Sequence, residues 1–507
     1  MSDKISRQRI AVPSGKMTPK PHSLLSLFLP RLNDALFILL FLSALASGPK
    51  MLNIDGDLPR HLLMGKFVSE HGLPPTQEIF AYPYAGRPYV SHEWLAGLIY
   101  FLSYRMLGLN GVVMLASLLI AATFALVHAR ATVHNGQGFL NFLLALMGAM
   151  VTSIHWITRP HLFTMLFLVI WLIWMDRLQR GERIRLWWFP ALMLVWTNTH
   201  AESIVGFLVV LAYLAGWLWQ YLFTGHTPDL AKGKKLIMVA GLSFLASLVN
   251  PAGWRSWGTI ISYVKNSYLM SRIAETRPPD FTQAEYFPLL ILLGFSTTVL
   301  ILKRDRFQPG QIFLMAGFGA MTLFSARNAH ILGIVAAYTL SSGLREIGIV
   351  RPLKNIQSAV ERMESRVAGK AWPVMATILC SAVLLAGPYR NFNHFEPAVF
   401  PSDAVSWLEN NPQSGRMFNA FDWGGYILFH LWPDQKVFIE SQTDTDGKLT
   451  REYEAVVTLR GAWQETFRKY DITWAVIPSH WPLARALEDA GWETIFQDQT
   501  AVILIQK

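Results

Sequence analysis

The sequence predicts a polytopic α-helical membrane protein that ends in a small α/β domain, and three observations predict it. The first is composition. Of the 507 residues 52% are hydrophobic and 15% charged, and the mean hydropathy is +0.30. That balance belongs to a chain with many spans rather than to a soluble domain with one anchor. The second is a series of apolar runs long enough to cross a bilayer. The third is a change of pattern after residue 388, where leucine-rich spans stop and strand-like runs alternate with helix-like ones.

In chain order, residues 1–32 are basic and polar, and the first apolar run is followed by Pro49 and Lys50 with no small-residue cleavage site. This reads as a cytoplasmic tail and a first transmembrane helix, not a signal peptide. Apolar runs lie near 33–51, 110–129, 138–156, 160–178, 186–200, 203–223, 236–250, 286–302, 309–325, 329–348 and 371–388. They predict about 11 transmembrane helices in a bundle spanning 33–388, with a first outer loop over 52–109. The single cysteine, Cys380, permits no intramolecular disulfide.

The ambiguous segment is EWLAGLIYFLSYRML (93–107), apolar but short, and charge decides its place. If it lies in the interface, the cytoplasmic loops hold 23 Lys and Arg and the opposite side 11 before the C-terminal domain. If it spans, RLQRGERIR and AKGKK move outside and the bias collapses. The positive-inside rule favours the interfacial reading. The N-terminus is then inside, and residues 389–507 form an outer domain. Strands are expected there at 436–440, 472–478 and 501–505, and helices at 402–411, 449–460 and 481–491.

This topology gathers polar residues on the outer face: Asp55 and Asp57, the turns ITRPH (157–161), THAES (199–203) and NPAGW (250–254), the loop 251–285, and Arg327–Asn328. A bundle that only anchored a domain has no use for such a set, although each residue alone also reads as a cap or interfacial anchor. If Asp57 opens a helix, His61 shares its face one turn on. Carboxylates at a bilayer surface suit removal of a proton from an acceptor. Asp57 also reads as a helix cap with Pro59 in the first turn, which makes Asp55 the better base. His92, Glu93, His161, His200 and Glu202 are placed to bind hydroxyls or assist the base. A zinc site from His61, His92, His161 and His200 has no spacing signature. No glycine-rich nucleotide pattern or Walker sequence occurs, so nucleotide-sugar and ATP mechanisms are unsupported. The basic stretches lack interleaved aromatics and match anionic lipid headgroups rather than nucleic acid.

The run IDGDLPRHLLMGKFVSEHGLPPTQEIFAYPYAGRPYVSHEWL, followed by a bundle with polar outer turns and an outer C-terminal domain, resembles bacterial members of the GT-C superfamily of membrane glycosyltransferases. The resemblance implies a polyprenyl-phosphate-linked sugar donor and a catalytic base at the first-loop Asp, matching Asp55 or Asp57. It also implies a site in the bacterial cytoplasmic (inner) membrane with the active face outside. FDWGGY (421–426) is similar in place to the WWDYG motif of the oligosaccharyltransferase catalytic subunit, which nominates Asp422 and Trp423 for the acceptor wall. The same likeness nominates Glu275 in RIAETRPPD, and Arg327 near the donor phosphate. FDWGG departs from WWDYG, so recognition of an Asn-sequon acceptor does not carry over. ITRPH lacks the acidic pair that holds a metal in that family, so the expected reaction needs no cofactor, with a divalent ion as the alternative.

A lipid phosphate at the membrane surface is an anion that arginines near helix ends hold bidentately, and Arg159 and Arg327 are the residues expected to do so. Snorkelling is the competing explanation for each. Pro160 fixes the turn at Arg159 and so aims that side chain. The expected function is inverting-type sugar transfer to a glycan, lipid or protein acceptor outside the cytoplasm. The alternatives are a lipid or glycan transporter or flippase, against which no half-repeat or pair of broken helices is seen, and a non-catalytic assembly partner of the same fold. A reporter fused after Gly387 is expected to read outside and one within 351–366 inside. A cytoplasmic reading after Gly387 would mean that 93–107 spans and that the polar turns do not share a face.

Overall fold

The computed structural model describes residues 28–223, 229–343, 351–364, 367, 369, 371–442 and 446–507. The first 27 residues of the basic tail, and parts of the loops 224–235 and 345–370, lie outside the described residues. Every predicted apolar run contains a helix. Among the described residues, five helical segments are long and apolar enough to cross a membrane: Leu109–Asn135, Gly138–His155, His161–Gln179, Ala201–Phe223 and Ala284–Leu302. The chain is an integral membrane protein on that ground. Most of the other runs give shorter helices, such as Leu32–Ala46 and Trp188–Thr199, because the chain breaks into turns at the polar end of the bundle, while Leu230–Ser247 has 18 residues but opens with three lysines. The helix Trp94–Leu107 is 14 residues long. It crosses the helix Asp57–His71 where Gly65 meets Gly97, a contact with no room for a Cβ on Gly65.

C-terminal to the bundle, four strands form one mixed sheet in the order β1-β2-β4-β3, with β1 Arg416–Asn419, β2 Ile472–Pro478, β3 Glu493–Gln497 and β4 Ala501–Ile505. β1 and β2 are parallel, and the other two pairs are antiparallel. Both faces of the central strands are covered, which is why ITWAVIP and AVILI are apolar without alternation. Trp474, Val476 and Ile503 face a cluster shared with Leu63, Met64 and Phe67 of the first-loop helix. Ala475, Ile477, Val502 and Leu504 face Phe418, Leu449 and Phe467 on the other side.

The segment 436–440, expected as a strand, is not one. The buried Asn419 side chain replaces a neighbouring strand: its Oδ1 accepts from Phe438 N (2.8 Å) and its Nδ2 donates to Ile439 O (2.9 Å). Val437 instead pairs with Ala81 of the first loop in a single parallel bridge. β1 and β3 are strands that the sequence reading did not place.

First loop and sheet are locked together by Arg60. Its Nε donates to Glu440 Oε2 at 3.0 Å, its Nη2 to Tyr89 Oη at 2.6 Å, and its guanidinium lies 4.2 Å from the Phe80 ring centre. Both ends of the Arg60–Glu440 pair are fully buried. Removing one partner from such a pair strands the other charge and costs about 3–5 kcal/mol, whereas replacing both with apolar groups is often neutral. Arg60→Met is therefore expected to lower unfolding stability in detergent by that order, and Arg60→Met with Glu440→Leu to recover most of it. A single variant as stable as the wild type would show that the pair does not fasten the two parts.

Candidate active site

The first loop aims its carboxylates through the start of the helix Asp57–His71. The N-cap of this helix is Gly56, which has no side chain, so Asp57 is not the cap. Instead Asp55 Oδ1 accepts the Asp57 backbone N–H at 3.0 Å. The local backbone work expected of Asp57 is done by one oxygen of Asp55, and both carboxylates still line the cavity, Asp57 from the first helical turn. His61 follows one turn later on the same side.

The remaining residues come from breaks between bundle helices. Arg159 sits between the 3₁₀ turn Ser153–His155 and the helix His161–Gln179, and its carbonyl accepts from Tyr100 Oη at 2.9 Å. His200 adopts extended backbone (φ −158, ψ 140) at the end of Trp188–Thr199, so the chain turns there and presents Glu202. Two contacts hold the Glu275 segment to the Arg327 turn: Ser325 Oγ donates to Glu275 O (3.1 Å) and Ala326 N to Arg277 O (2.8 Å).

These groups line one cavity of ≈ 270 Å³. Its centre is Arg159. Nε lies 3.0 Å from Asp55 Oδ2, Nη2 2.8 Å from Asp57 Oδ2, and Nη1 3.6 Å from Glu275 Oε1. The Nε contact is an ion pair without hydrogen-bond alignment. Arg327 has a looser arrangement, with Nε 3.5 Å from Glu202 Oε1, and the other oxygen of Glu202 lies 3.1 Å from His330 Nε2. A wall comes from the FDWGG turn. A Cβ on Gly56 would overlap the Asp422 carbonyl, and one on Gly425 would come within 2.9 Å of Arg60 Cβ. Only glycine permits these two backbones to approach so closely.

Electrostatics separate the two aspartates. Burial and the neighbouring Asp57 carboxylate raise Asp55, against the pull of Arg159. Burial also pushes Asp57 up, but Arg159, His61, Ser441 and Arg327 together pull it below the usual carboxylate range. Burial and the Asp57 charge push Glu93 up to about 7. Burial drives His61 down to about 3 and His200 to about 4, so both are neutral at physiological pH.

No family model and no curated protein matches the chain. Solved structures do. An oligosaccharyltransferase from Archaeoglobus fulgidus in the apo form superposes with a TM-score of 0.58 at 11% identity, covering 88% of this chain and 69% of that one. ArnT from Cupriavidus metallidurans in the apo state gives 0.55 at 14% identity, covering 93% and 97%. The archaeal oligosaccharyltransferase AglB in complex with an inhibitory peptide and a dolichol-phosphate, also from Archaeoglobus fulgidus, gives 0.53 at 11%, covering 87% and 69%. This chain has the GT-C fold.

On that fold the structure brings together eleven of the thirteen residues singled out in the sequence: Asp55, Asp57, His61, Glu93, Arg159, His161, His200, Glu202, Glu275, Arg327 and Asp422 all line the cavity. Two do not. Trp423 is a core residue, packed against the first-loop helix with its Nε1 donating to Val399 O at 2.9 Å. His92 precedes Glu93 but falls outside the cavity lining. Arg159 is present but not as expected: three carboxylates surround it, and a phosphate added there would meet like charge. His155, His330, Tyr263 and Ser441 line the cavity without having been expected. His330 stands three residues after Arg327, across the 3₁₀ turn Ala326–Asn328 and the helix start at Ala329, a one-turn spacing that marks it once the arginine is known; the chain between His155 and Arg159 is not helical, so no spacing marks His155. Ser441 reaches the site only through the irregular path of 436–442, and nothing local marks it.

The GT-C cavity does not fit a metal by its donor set. Among the described residues no three His, Cys, Asp or Glu groups converge as ligands, and a guanidinium occupies the space between Asp55, Asp57 and Glu275. The aspartate pair gives a test independent of activity. Asp57→Asn removes a negative neighbour from Asp55 and leaves Arg159 fewer carboxylates to share. Both changes favour ionised Asp55, so its infrared-detected titration is expected to move to lower pH. A midpoint that stays or rises would show that the two carboxylates are not coupled.

Proposed function

We propose that this protein transfers a sugar from a polyprenyl-phosphate-linked donor to an acceptor hydroxyl outside the cytoplasm. The observation that carries the reading is the cavity itself. A desolvated carboxylate pair, a guanidinium that orders it, and a second, less committed guanidinium face one space at the end of an apolar bundle. In this reading Asp55 is the base, because a raised pKa brings it towards the operating range where proton abstraction is most effective. Asp57 stays ionised and, with Glu275, orients Arg159. The acceptor oxygen bonds to the anomeric carbon on one face as the carbon–phosphate-oxygen bond breaks on the other, which inverts the centre. Arg327 holds the lipid phosphate that leaves. Positioning and fixed charge supply the rest of the barrier reduction. Arg159 supplies the positive charge among the carboxylates, so the mechanism needs no divalent ion.

Support for the outer face comes from the 23 to 11 distribution of Lys and Arg. Support for a lipid-linked donor comes from the fold and from a polar cavity beside apolar spans. In this reading 389–507 is an outer domain whose FDWGG turn walls the acceptor side through Asp422. The acceptor is a glycan, a lipid or a protein.

Transfer assayed in liposomes from a polyprenyl-phosphate sugar tests the assignment. Asp55→Asn is expected to lower the rate by about 10²–10⁴, the usual worth of general-base catalysis, with donor binding retained. Arg327→Ala is expected to weaken donor binding by about 10–100-fold, as for loss of a charge-assisted hydrogen bond. Full activity in both Asp55→Asn and Asp57→Asn would remove the base assignment, and absence of transfer by the wild type would leave the fold as that of a non-catalytic partner.

A further inference from the structure

His200 lies between two carboxylates. Its Nε2 is 3.3 Å from Glu93 Oε1, and its Nδ1 is 3.4 Å from Glu202 Oε2. A neutral imidazole between two carboxylates can move a proton from one to the other by accepting at one nitrogen and releasing from the other. The second neighbour of Nδ1 allows either tautomer. Trp196 Nε1 donates to Thr164 Oγ1 (2.8 Å), and Thr164 Oγ1 is 3.0 Å from His200 Nδ1. The threonine hydroxyl therefore donates to Nδ1 when Nδ1 is bare and accepts from it when Nδ1 carries the proton.

The two carboxylates face different parts of the cavity. Glu93 Oε2 lies 3.7 Å from His61 Nδ1, on the helix that carries Asp57, and accepts from Gln442 Nε2 at 3.2 Å. Glu202 touches Arg327 and His330. Among the described residues, His330 Nδ1 and His155 Nδ1 are buried polar atoms without a hydrogen-bond partner, and both residues line the cavity. Buried polar atoms that face an open space are suited to hydrogen-bond a polar ligand there. The base side and the Arg327 side of the cavity are thus joined through Glu93, His200 and Glu202.

We propose that Glu93, His200 and Glu202 form a relay that delivers a proton to the departing phosphate held at Arg327. The proposal rests on the sugar-transfer reading. As the carbon–oxygen bond to phosphate breaks, the Glu202 carboxylate takes the His200 Nδ1 proton and passes it to the phosphate oxygen, while His200 Nε2 takes the Glu93 proton. After the phosphate leaves, Asp55 releases the acceptor's proton to water in the cavity. The relay reloads by the same steps in reverse: a proton from the cavity reaches Nδ1 through Glu202, and the Nε2 proton returns to Glu93. One proton leaves the acceptor and one reaches the leaving group, so no external acid is consumed.

Glu93 suits the first position because burial and the Asp57 charge hold its pKa near about 7, leaving it partly protonated at neutral pH. The charged and titratable groups around it are Asp57 and His61 on the first-loop helix, Arg159 in its turn, Arg327 in another, and His200 and Glu202. Tyr89 and Tyr100 also face it. The arginines oppose the upward shift and the carboxylates reinforce it. A donor must be protonated to act, so relay-dependent transfer falls as pH rises through the Glu93 titration.

Two readouts separate this proposal from the reading beneath it. In infrared titration of the purified protein, the wild type is expected to show a protonated buried carboxyl signal that fades around neutral pH. Glu93→Gln is expected to lose it and His200→Gln to shift its midpoint. This measurement does not require turnover. In the transfer assay, Glu93→Gln and His200→Gln are expected to reduce the rate about 10²-fold and to abolish the falling limb of the pH profile, while Glu93→Asp keeps the limb at a lower rate. A structural role would lower the whole profile without changing its shape. An unchanged carboxyl signal in Glu93→Gln, or the same falling limb in Glu93→Gln as in wild type, overturns the relay even if sugar transfer stands. Wild-type protein that transfers no sugar, with the carboxyl signals behaving as expected, overturns the delivery to phosphate and the sugar-transfer reading together.

Discussion

A fully buried ion pair, Arg60 with Glu440, is the constraint on which the site depends. Among the described residues, the first loop and the chain after β1 share no regular secondary structure beyond one bridge at Ala81–Val437. What aligns them is a chain of polar contacts out of water: Glu440 to Arg60, Arg60 to Tyr89, Tyr89 Oη to Gln442 Oε1 at 2.8 Å, and Gln442 to Glu93. A buried charge tolerates little displacement of its partner, because each ion has surrendered its hydration for that contact. The network therefore carries positional information from the sheet to a carboxylate in the cavity, and it begins beside the closely packed Gly56 and Gly425.

Within the cavity, the two arginines are made different by their neighbours rather than by their chemistry. Arg159 meets three carboxylates and is held in the middle of them. Arg327 meets one and keeps capacity for another anion. The histidines are neutral by desolvation where they adjoin the first loop and its facing turn. The result is a polar space whose fixed charges lie at two poles, with uncharged hydrogen-bonding groups between. Such an arrangement costs little reorganisation when charge shifts from one pole to the other.

The bundle was legible in the sequence because lipid imposes one requirement, a long apolar helix, that composition alone reveals. β2 and β4 were legible for a similar reason: both faces of each are covered, so each is a short unbroken apolar run. The segment 436–440 has the same composition and is not a strand, since Asn419 satisfies its backbone from a side chain, and no local pattern announces that. The convergence of the polar turns was expected from the charge counts. The pairings within the cavity were not. Asp55 takes a backbone N–H two residues on, Arg159 turns towards carboxylates, and Trp423 faces the core. Each outcome is set by contacts between segments far apart in sequence, which spacing cannot express.

The meeting of Gly56 with the FDWGG turn has a consequence for biosynthesis. The first loop leaves the ribosome some 370 residues before its partner. Glu275, Arg327 and His330 are made in between, and Asp422 and Ser441 after them. The site is therefore assembled in the order of synthesis: the aspartates first, then the two arginines, and last the wall that narrows the space around them.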